Sequence, residues 1–503
     1  MSVIGFYEII EDAGLSNLLI PVKYEAPTFI NSERVCDEIL NAVRDQKRIF
    51  VIGDYDVDGM MCDLIFRDGL QLLGAQNVTF YKYRKRTHSL DPVAVQQCIQ
   101  NQSDYCVIAD CGSNNLGLLK KLNTYGIKVI LLDHHETAVT YDEFFENGVI
   151  AINTTLEPNV YKLSAGALCY CVMSEILRRV NIPEKNLAVF AVISLYADCM
   201  DMHDDLNRAI YYRAKQIPKE ELPHDVTMFM NEYQVLSARF INFWFAPRIN
   251  AMFRAERFDV LNKLFIDPVD TVEMAHCLNL VEELYVHVRD MVTKVADIIE
   301  VTELENMVIS NLYSVNEHVS VKENKLWNYT GLVANKLSDR YSKAAVVLCD
   351  TEFEIKGSLR DVYGRDFLAP LSHLCKAGGH KPAFGIQLSS FDLEDFLTQL
   401  ERLDKKLVFS ELSNEPIVIK YPYNEPDAGL IEDIATINEF AGPGVPLILI
   451  RKQRVGNMPE RKTDWAYQYS WGAFTIQSQV AISFGSWMSL RPTLACKTKL
   501  IVQ

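Results

Sequence analysis

Between residues 48 and 200 the chain alternates short apolar, β-branched runs with longer segments of helical periodicity. The runs have the length of strands and lie at Ile49–Ile52, Val78–Tyr83, Tyr105–Ala109, Ile127–Leu132 and Val149–Ile152. The segments between them, at roughly 60–74, 91–101, 115–125 and 164–180, have the length of crossover helices. This alternation is the pattern of a parallel α/β sheet.

The remaining sequence predicts further regions around this α/β domain. Helical periodicity at about 270–306 indicates a long connecting helix, a second and smaller α/β unit follows it, and the end of the chain alternates apolar and polar positions between Pro and Gly turns, as in a small β domain. The predicted regions are a lead-in at 1–47, the α/β domain at 48–265, a connecting helix and linker at 266–324, the second α/β unit at 325–405 and the β domain at 406–503.

Composition restricts the class of protein. The 503 residues exceed what one hydrophobic core organises, and 49% apolar with 23% charged residues is ordinary for a globular chain. The sequence has no secretion-type leader and no run of about 18 apolar residues, and its twelve cysteines include no Cys-x-x-Cys pair. We therefore expect a multidomain cytoplasmic protein with reduced cysteines, without membrane association and without structural zinc.

The formal net charge of −16 disfavours a protein coated by nucleic acid, because non-specific binding depends on neutralising phosphates. Any nucleic-acid path must therefore be local. Two short basic clusters could line such a path, although clusters of this kind are commonly only solvated surface. They are Lys82, Arg84, Lys85 and Arg86, and Arg451, Lys452, Arg454, Arg461 and Lys462.

Three carboxylates, Asp54, Asp56 and Asp58, follow the first predicted strand. The carboxyl ends of parallel strands are where open α/β sheets bind ligands. Carboxylates this close repel one another unless a cation compensates them, and no basic residue is interleaved among the three. The alternatives are a solvated acidic turn or a calcium loop, but the segment lacks the glutamate that closes an EF-hand loop.

Polar residues also follow three other apolar segments. Asp110 comes after the third predicted strand, His134 and His135 come after the fourth, and Asp198 ends the apolar helix 187–197. Singly, an aspartate here fits a helix cap and a pair of histidines fits a surface. Together with the first cluster they predict a shared cleft. Such a donor set suits Mn²⁺ or Mg²⁺ better than zinc, and two ions could serve phosphoryl transfer.

These residues resemble the motifs of the DHH phosphoesterases, in the same order along the chain. Their amino-acid sequences are most similar to those of the RecJ exonucleases. The four motifs are Asp54-Tyr55-Asp56-Val57-Asp58-Gly59, Asp110-Cys111-Gly112, Asp133-His134-His135 and Ala197-Asp198. Two other segments, Ser164-Ala165-Gly166 and Ala246-Pro247-Arg248-Ile249-Asn250-Ala251, resemble further parts of RecJ. The resemblance covers about 30–500 and is strongest in the first half.

The resemblance implies a role for each matched position. His135 would contact the scissile phosphate and stabilise charge, so that it counts with Asp110 as catalytic. Two Mn²⁺ or Mg²⁺ ions would be held by Asp56, Asp58, Asp110, His134 and Asp198, with Asp54 as a nearby or additional ligand.

The second half of the chain also resembles this family. Gly331-Leu332-Val333-Ala334, Gly357-Ser358-Leu359-Arg360 and Gly378-Gly379-His380 are similar to a DHH-associated C-terminal domain, and Glu439-Phe440-Ala441-Gly442-Pro443-Gly444 is similar to the entry of the RecJ OB-fold. The resemblance thus implies an α/β DHH domain, a smaller α/β domain and an OB-like β domain. Phosphates of the strand, including a 5′ phosphate, would be bound by Arg248, Asn250, Ser358, Arg360, Gly379 and His380.

Three segments depart from the family pattern. The departures concern the path that a nucleic-acid strand would take to the metal centre. Arg86-Thr87-His88-Ser89 stands where RecJ proteins usually have Glu-Gly-Tyr-Gly, Trp327-Asn328 stands where they have Trp-His, and Ala251-Met252-Phe253-Arg254 lacks their small glycine. The predicted metal positions are all kept.

The resemblance implies a two-metal 5′→3′ exonuclease that acts on single-stranded nucleic acid, DNA in preference to RNA, during recombination or repair. A single-strand-binding protein or a helicase would be a candidate partner. One alternative is a phosphodiesterase for oligonucleotides or cyclic dinucleotides, whose relatives are usually smaller and lack an OB-fold. Another is a non-catalytic replication partner, whose mark would be lost metal ligands.

Overall fold

A computed structural model describes two compact units in this chain, one formed by residues 1–280 with 418–503 and the other by residues 281–417. The described residues are 3–84, 89–159, 161–231, 234–267, 269–351, 354–407, 416–421, 427–442, 445–453, 460–462, 467–471, 474–478, 487–493 and 499–502. Across these ranges no helix is both long enough and apolar enough to cross a membrane.

The first unit is built on a five-stranded parallel sheet, which confirms the predicted α/β fold. Its strands are β1 (Ile49–Ile52), β2 (Val78–Phe80), β3 (Tyr105–Ala109), β4 (Lys128–Asp133) and β5 (Val149–Asn153), in the spatial order β2-β1-β3-β4-β5. The helices before and between them are α1 (Val3–Asp12), α2 (Ser32–Arg44), α3 (Val57–Leu72), α4 (Pro92–Gln100), α5 (Leu116–Thr124) and α6 (Tyr141–Glu146).

The central strands are buried along their whole length, and this explains their sequence. Every residue of β1, β3 and β5 is buried. Parallel strands with helices on both faces of the sheet have no polar side, so they read as continuous apolar runs. Polar side chains are then confined to the strand ends, which is where the site lies.

A mainly helical region completes this part of the first unit. Its helices are α7 (Ala165–Arg179), α8 (Leu187–Ala197), α9 (Asp205–Lys215), α10 (His224–Thr227), α11 (Ala238–Phe240), α12 (Ala246–Arg254) and α13 (Phe258–Phe265), with a π-helical turn at Ile241–Phe245 between α11 and α12. Helix α8 is apolar on all sides because it packs between α3, α7 and α9. The long helix α14 (Thr271–Ile298) follows, as the periodicity predicts.

The second unit contains a six-stranded sheet in the order β10-β11-β9-β8-β7-β6. Its elements are β6 (Thr302–Glu303), β7 (Met307–Asn311), α15 (Thr330–Tyr341), β8 (Ala344–Asp350), β9 (Glu354–Arg360), α16 (Leu368–Leu371), β10 (Lys376–His380), β11 (Ala383–Ser389) and α17 (Leu393–Asp404). Strands β6 and β7 lie in the range 266–324, which the periodicity assigned to helix and linker. Periodicity alone does not distinguish the short apolar run of β7 from a helix segment, and its pairing with β8 makes it a strand.

The C-terminal region forms a seven-stranded sheet with one helix. Its elements are β12 (Ile417–Lys420), α18 (Ala428–Glu439), β13 (Ile448–Gln453), β14 (Glu460–Lys462), β15 (Tyr467–Trp471), β16 (Phe474–Ser478), β17 (Trp487–Pro492) and β18 (Lys499–Val502). The strands are ordered β12-β13-β17-β18-β16-β15-β14. A C-terminal β region is therefore present. The alternation of apolar and polar residues in this region did not predict α18. The OB-like topology stays a prediction.

Candidate metal centre

The predicted ligands converge because their strands are neighbours. Strands β1, β3 and β4 are adjacent and parallel, so Asp54, Asp110 and His134 leave the sheet at the same edge. Asp58 lies in the first turn of α3, and Asp198 is the C-terminal cap of α8, which packs against α3. Sequence-distant acids are thus brought to one place by the sheet order and by one helix contact.

The six predicted metal ligands fall into two sets of three that share no residue. Asp58, His134 and Asp198 offer three ligand atoms within 4.8 Å of one another, and so do Asp54, Asp56 and Asp110. A third set, formed by Asp110, His134 and His135, joins the two. The Nε2 atom of His134 lies 3.3 Å from Oδ1 of Asp110, 3.6 Å from Oδ2 of Asp198 and 3.8 Å from Oδ2 of Asp58.

Asp58 is held by the amino end of α7 and by a serine of α8. Its carboxylate accepts hydrogen bonds from the backbone N–H of Ala165 at 2.9 Å and of Gly166 at 2.8 Å, and from the hydroxyl of Ser194 at 2.5 Å. A Cβ atom at Gly166 would lie 2.5 Å from Oγ of Ser194 and 3.1 Å from Oδ1 of Asp58. The Ser164-Ala165-Gly166 segment is therefore a carboxylate-binding turn, and only glycine fits its third position.

Two backbone features fix the neighbouring aspartates. Asp56 caps α3, because its Oδ1 accepts from the N–H groups of Asp58 at 2.9 Å and Gly59 at 3.1 Å. Asp110 has a φ of +63°, in the left-handed region that Asp and Asn tolerate better than most residues. It is almost completely buried at the end of β3, where an ionised carboxylate needs a partner.

The electrostatics of the cluster call for a cation. Burial and the charge of Asp56 raise the pKa of Asp54 to about 8, and burial and the charge of Asp198 raise that of Asp58 to about 6. Burial, with Asp58 and Asp56 nearby, holds the pKa of Asp110 well above its usual range. Among the described residues, the buried Oδ1 of Asp54 has no hydrogen-bond partner. Hard carboxylate oxygens with one imidazole fit a divalent cation such as Mn²⁺ or Mg²⁺.

The family model described as "DHH family, N-terminal domain" matches residues 48–199. These residues belong to the DHH family. The matched span contains all six predicted ligands of the metal centre, and the DHH domain is thus confirmed where the motifs predicted it.

Relatives and solved structures extend the similarity beyond the DHH domain. The single-stranded-DNA-specific exonuclease RecJ of Bacillus subtilis is 27% identical over 394 residues, which cover 74% of this chain and 47% of the relative. The chain thus spans about half the length of that relative. The fold matches that of RecJ from Thermus thermophilus in complex with Mn²⁺, with a TM-score of 0.70 and 18% identity over 98% of this chain and 74% of the other.

The same Thermus thermophilus protein in complex with Mg²⁺ also matches, with a TM-score of 0.62 and 17% identity over 96% of this chain and 70% of the other. The solved structures that share the fold therefore include complexes with both cations that the donor set predicts. The acidic clusters of the DHH domain are compatible with these ions.

Asp133 is a further residue at this edge of the sheet, and the sequence analysis assigned it no role. Its Oδ1 accepts from Nδ1 of His135 at 2.8 Å and from the backbone N–H of His134 at 2.8 Å, and its Oδ2 accepts from the N–H of Ser113 at 3.1 Å. Burial disfavours a charged His135, but the bond to Asp133 and the nearby carboxylates outweigh it and raise the pKa of His135 to about 9. The same contacts hold the pKa of Asp133 below its usual range, against its burial.

Asn153 is a second residue that the sequence did not single out. Its Nδ2 donates to the backbone carbonyl of His135 at 3.0 Å and to the hydroxyl of Ser113 at 2.9 Å. Its sequence pattern is that of an ordinary strand end, and only the structure shows that its amide is completely buried at the end of β5, as hydrogen-bonded amides can be. The loop that carries both histidines is therefore fixed from two neighbouring strands.

The predicted phosphate-binding residues fall in both units. In the first, Arg248 is buried on α12, where its guanidinium lies 3.6 Å over the ring of Trp244, and Asn250 lies two residues further along that helix. In the second, Ser358 bonds Thr330 at 2.8 Å, while Arg360 reaches Gly331 at the start of α15. Gly379 pairs with Phe384 in the sheet, and the side chain of His380 lies outside the described part.

The two basic clusters are only partly available to a ligand. Lys82 forms an ion pair with Asp267 at 2.6 Å, and Lys452 is buried. Arg84 and Arg451 are exposed. The other members, Lys85, Arg86, Arg454 and the side chains of Arg461 and Lys462, lie outside the described residues.

Proposed function

We propose that this protein is a metal-dependent exonuclease that hydrolyses single-stranded DNA from the 5′ end in recombination or repair. The observation that carries the proposal is the division of the six acidic and histidine ligands into two disjoint sets of three. Such sets suit a pair of divalent ions, which is the arrangement used for phosphodiester hydrolysis. Similarity to proteins described as single-stranded-DNA-specific exonucleases supports the choice of substrate.

In this proposal six side chains bind the cations and His135 contacts the phosphate. Asp58, His134 and Asp198 would hold one cation and Asp54, Asp56 and Asp110 the other. When bound, these cations would supply Lewis-acid stabilisation of charge on the phosphoryl oxygens. The imidazole of His135, which its hydrogen bond to Asp133 orients, can donate a hydrogen bond to a phosphate oxygen as negative charge develops.

We also propose that the second unit binds the strand rather than cutting it. Ser358, Thr330 and the Arg360 guanidinium lie at the amino end of α15, where the helix dipole favours an anion. A guanidinium beside hydroxyl donors is suited to a phosphate of the backbone or of the 5′ end. A single-strand-binding protein or a helicase remains a candidate partner, and the buried thiols of the described part, such as Cys62 and Cys106, support action in the reducing cytoplasm.

The proposal is tested with end-labelled single strands of DNA and RNA, each blocked at the 5′ or the 3′ end, in the presence of Mn²⁺ or Mg²⁺. We expect release of mononucleotides from DNA with a free 5′ end, and no release without a divalent cation. Degradation only from the 3′ end, or equal degradation of DNA and RNA, would contradict polarity or substrate respectively. Hydrolysis of dinucleotides alone would instead favour a phosphodiesterase of short oligonucleotides.

A further inference from the structure

Helix α18 of the C-terminal region ends in a buried carboxylate that no step of the proposed reaction uses. Glu439 is 3% exposed, although it lies at the end of a helix beside a glycine-containing turn. Burial raises its pKa, while the positive charges of Lys215 and Arg491 act in the opposite direction. Burying a carboxylate costs free energy unless hydrogen bonds compensate it. The groups that donate to Glu439 therefore indicate which parts of the protein it connects.

Glu439 contacts three separate helices of the first unit. Its backbone carbonyl accepts from the hydroxyl of Tyr196 on α8 at 2.8 Å. Its Oε2 accepts from the hydroxyl of Tyr211 on α9 at 3.2 Å and from the backbone N–H of Ala238, the first residue of α11, at 3.0 Å. The next residue, Phe440, packs edge to face on Tyr211 with ring centres 5.0 Å apart.

Two of these helices lead directly to predicted site residues. Tyr196 stands two residues before Asp198, the C-terminal cap of α8 and one of the three ligands in its set. Ala238 begins the continuous helical segment that runs through the π-turn into α12, which carries Arg248. A carboxylate at the amino end of that segment also complements the helix dipole. One residue from the C-terminal region thus holds the metal-ligand helix and the Arg248 helix together.

We infer that Glu439 is a positioning residue of the metal centre, through which the C-terminal region fixes Asp198. The inference rests on the proposed function, because it assumes that Asp198 binds a cation. Groups that hydrogen-bond a metal ligand typically contribute about 10-fold to 100-fold in metal affinity, and Glu439 acts one step further away, through Tyr196 on the helix of Asp198. Loss of the Glu439 contacts should therefore weaken metal binding even though the residue cannot touch the ion.

The test measures Mn²⁺ binding to the full chain by calorimetry, together with thermal unfolding in a chelator. Tyr196→Phe removes the hydroxyl that donates to the Glu439 carbonyl, and it should raise the Mn²⁺ dissociation constant by up to about tenfold. Glu439→Gln keeps that carbonyl and an acceptor oxygen in its side chain, so it should raise the constant less. Amide hydrogen exchange should become faster in residues 194–199 of Tyr196→Phe and in residues 238–250 of Glu439→Gln, because a contact of that segment is weakened in each.

A matched control lies on the same helix. Asp433 of α18 accepts a hydrogen bond from the hydroxyl of Tyr7 on α1 at 2.5 Å, so Asp433→Asn weakens a contact of α18 that involves neither α8 nor α11 and leaves the contacts of Glu439 in place. Its Mn²⁺ affinity should equal that of the wild type. Equal loss in Asp433→Asn and Tyr196→Phe, or a lower melting temperature of Tyr196→Phe and Glu439→Gln with unchanged Mn²⁺ affinity, would overturn the inference. Failure of the wild-type chain to bind Mn²⁺ would overturn the proposed function itself, and the inference with it.

Discussion

The Nδ1 atom of His135 lies 2.8 Å from Oδ1 of Asp133, a carboxylate that is buried at the end of β4 and also bonds two backbone N–H groups of its own loop. This contact fixes the imidazole through one nitrogen and leaves Nε2 as the nitrogen for other partners. It also favours the protonated ring, since the ion pair stabilises the positive charge. The histidine is therefore both oriented and charged by one residue.

Asp133→Asn should lower activity roughly 10-fold to 100-fold, as loss of an orienting partner does elsewhere. An amide cannot stabilise a positive imidazole as a carboxylate does, so the pKa of His135 should fall from about 9 toward its ordinary value. The alkaline limb of the pH–rate profile at saturating Mn²⁺ should then move to lower pH. Asp142→Asn, an exposed aspartate of the same region, should leave the profile unchanged. An unaltered profile for Asp133→Asn would remove the proposed role of this pair.

Asp110→Asn and His135→Ala should both abolish Mn²⁺-dependent degradation, but for different reasons. Asparagine tolerates the φ of +63° at position 110, so this variant should keep the fold while losing a ligand, and Mn²⁺ binding should weaken. His135→Ala should still bind Mn²⁺, because the two disjoint ligand sets do not include His135. Calorimetry with Mn²⁺, beside circular dichroism of each variant, checks this contrast. Retained nuclease activity in either variant contradicts the assignment.

The metal-free protein should become less stable as the pH rises from about 5 to about 8. Folding raises the pKa of Asp58 to about 6 and of Asp54 to about 8, so the stabilisation from keeping these carboxyls protonated is lost as the pH passes those values. Mn²⁺ binds the ionised carboxylates, and its effect on the melting temperature should therefore be larger at about pH 8 than at about pH 6. Thermal melts in chelator and in saturating Mn²⁺ measure both trends. A chelated protein that gains stability with pH would refute this account.

Gly166→Ala should destabilise the protein by about 1–3 kcal/mol, because the added methyl group overlaps atoms that hold Asp58. The new Cβ would stand 2.6 Å from Cβ of Ser194, and neither helix can move without shifting the carboxylate. Gly117 in α5 offers the control, since no atom lies within 4 Å of a Cβ built there. Gly117→Ala should be neutral or stabilising by up to about 1 kcal/mol. Denaturant unfolding of the two variants gives the comparison, and equal effects would contradict it.

Arg360→Ala should weaken binding of single-stranded DNA while leaving hydrolysis of a small model phosphodiester nearly unaltered. If this guanidinium contacts one phosphate, the slope of log affinity against log salt should become smaller by about 0.7. Arg289→Ala is a control in the same unit, where the arginine pairs with Asp290 at 2.9 Å on α14. Fluorescence titrations at several salt concentrations measure the slope. Parallel loss on both substrates would indicate misfolding instead.

The sequence alone determined the first sheet and predicted which residues gather at its edge as ligands of a metal centre. Strands buried on both faces leave runs of apolar residues, and the polar residues directly after those runs must meet at one edge of a parallel sheet. Asp54, Asp110 and His134 could therefore be assigned together before any coordinate was known. Asp198 could be added because an aspartate that ends an all-apolar helix needs a partner.

Only the tertiary structure decided what supports those ligands. Asp133 and Asn153 act through hydrogen bonds to one histidine loop, and neither residue differs in sequence pattern from an ordinary strand end. Glu439 contacts Tyr196, on the helix that ends at Asp198, although the two residues are 243 positions apart in the sequence. It lies on α18, a helix that was not predicted because its region alternates apolar and polar residues as strands do. The local sequence determines the periodicity of helices and strands and where they end. Contacts between residues far apart in the sequence depend on how whole helices and strands pack against one another.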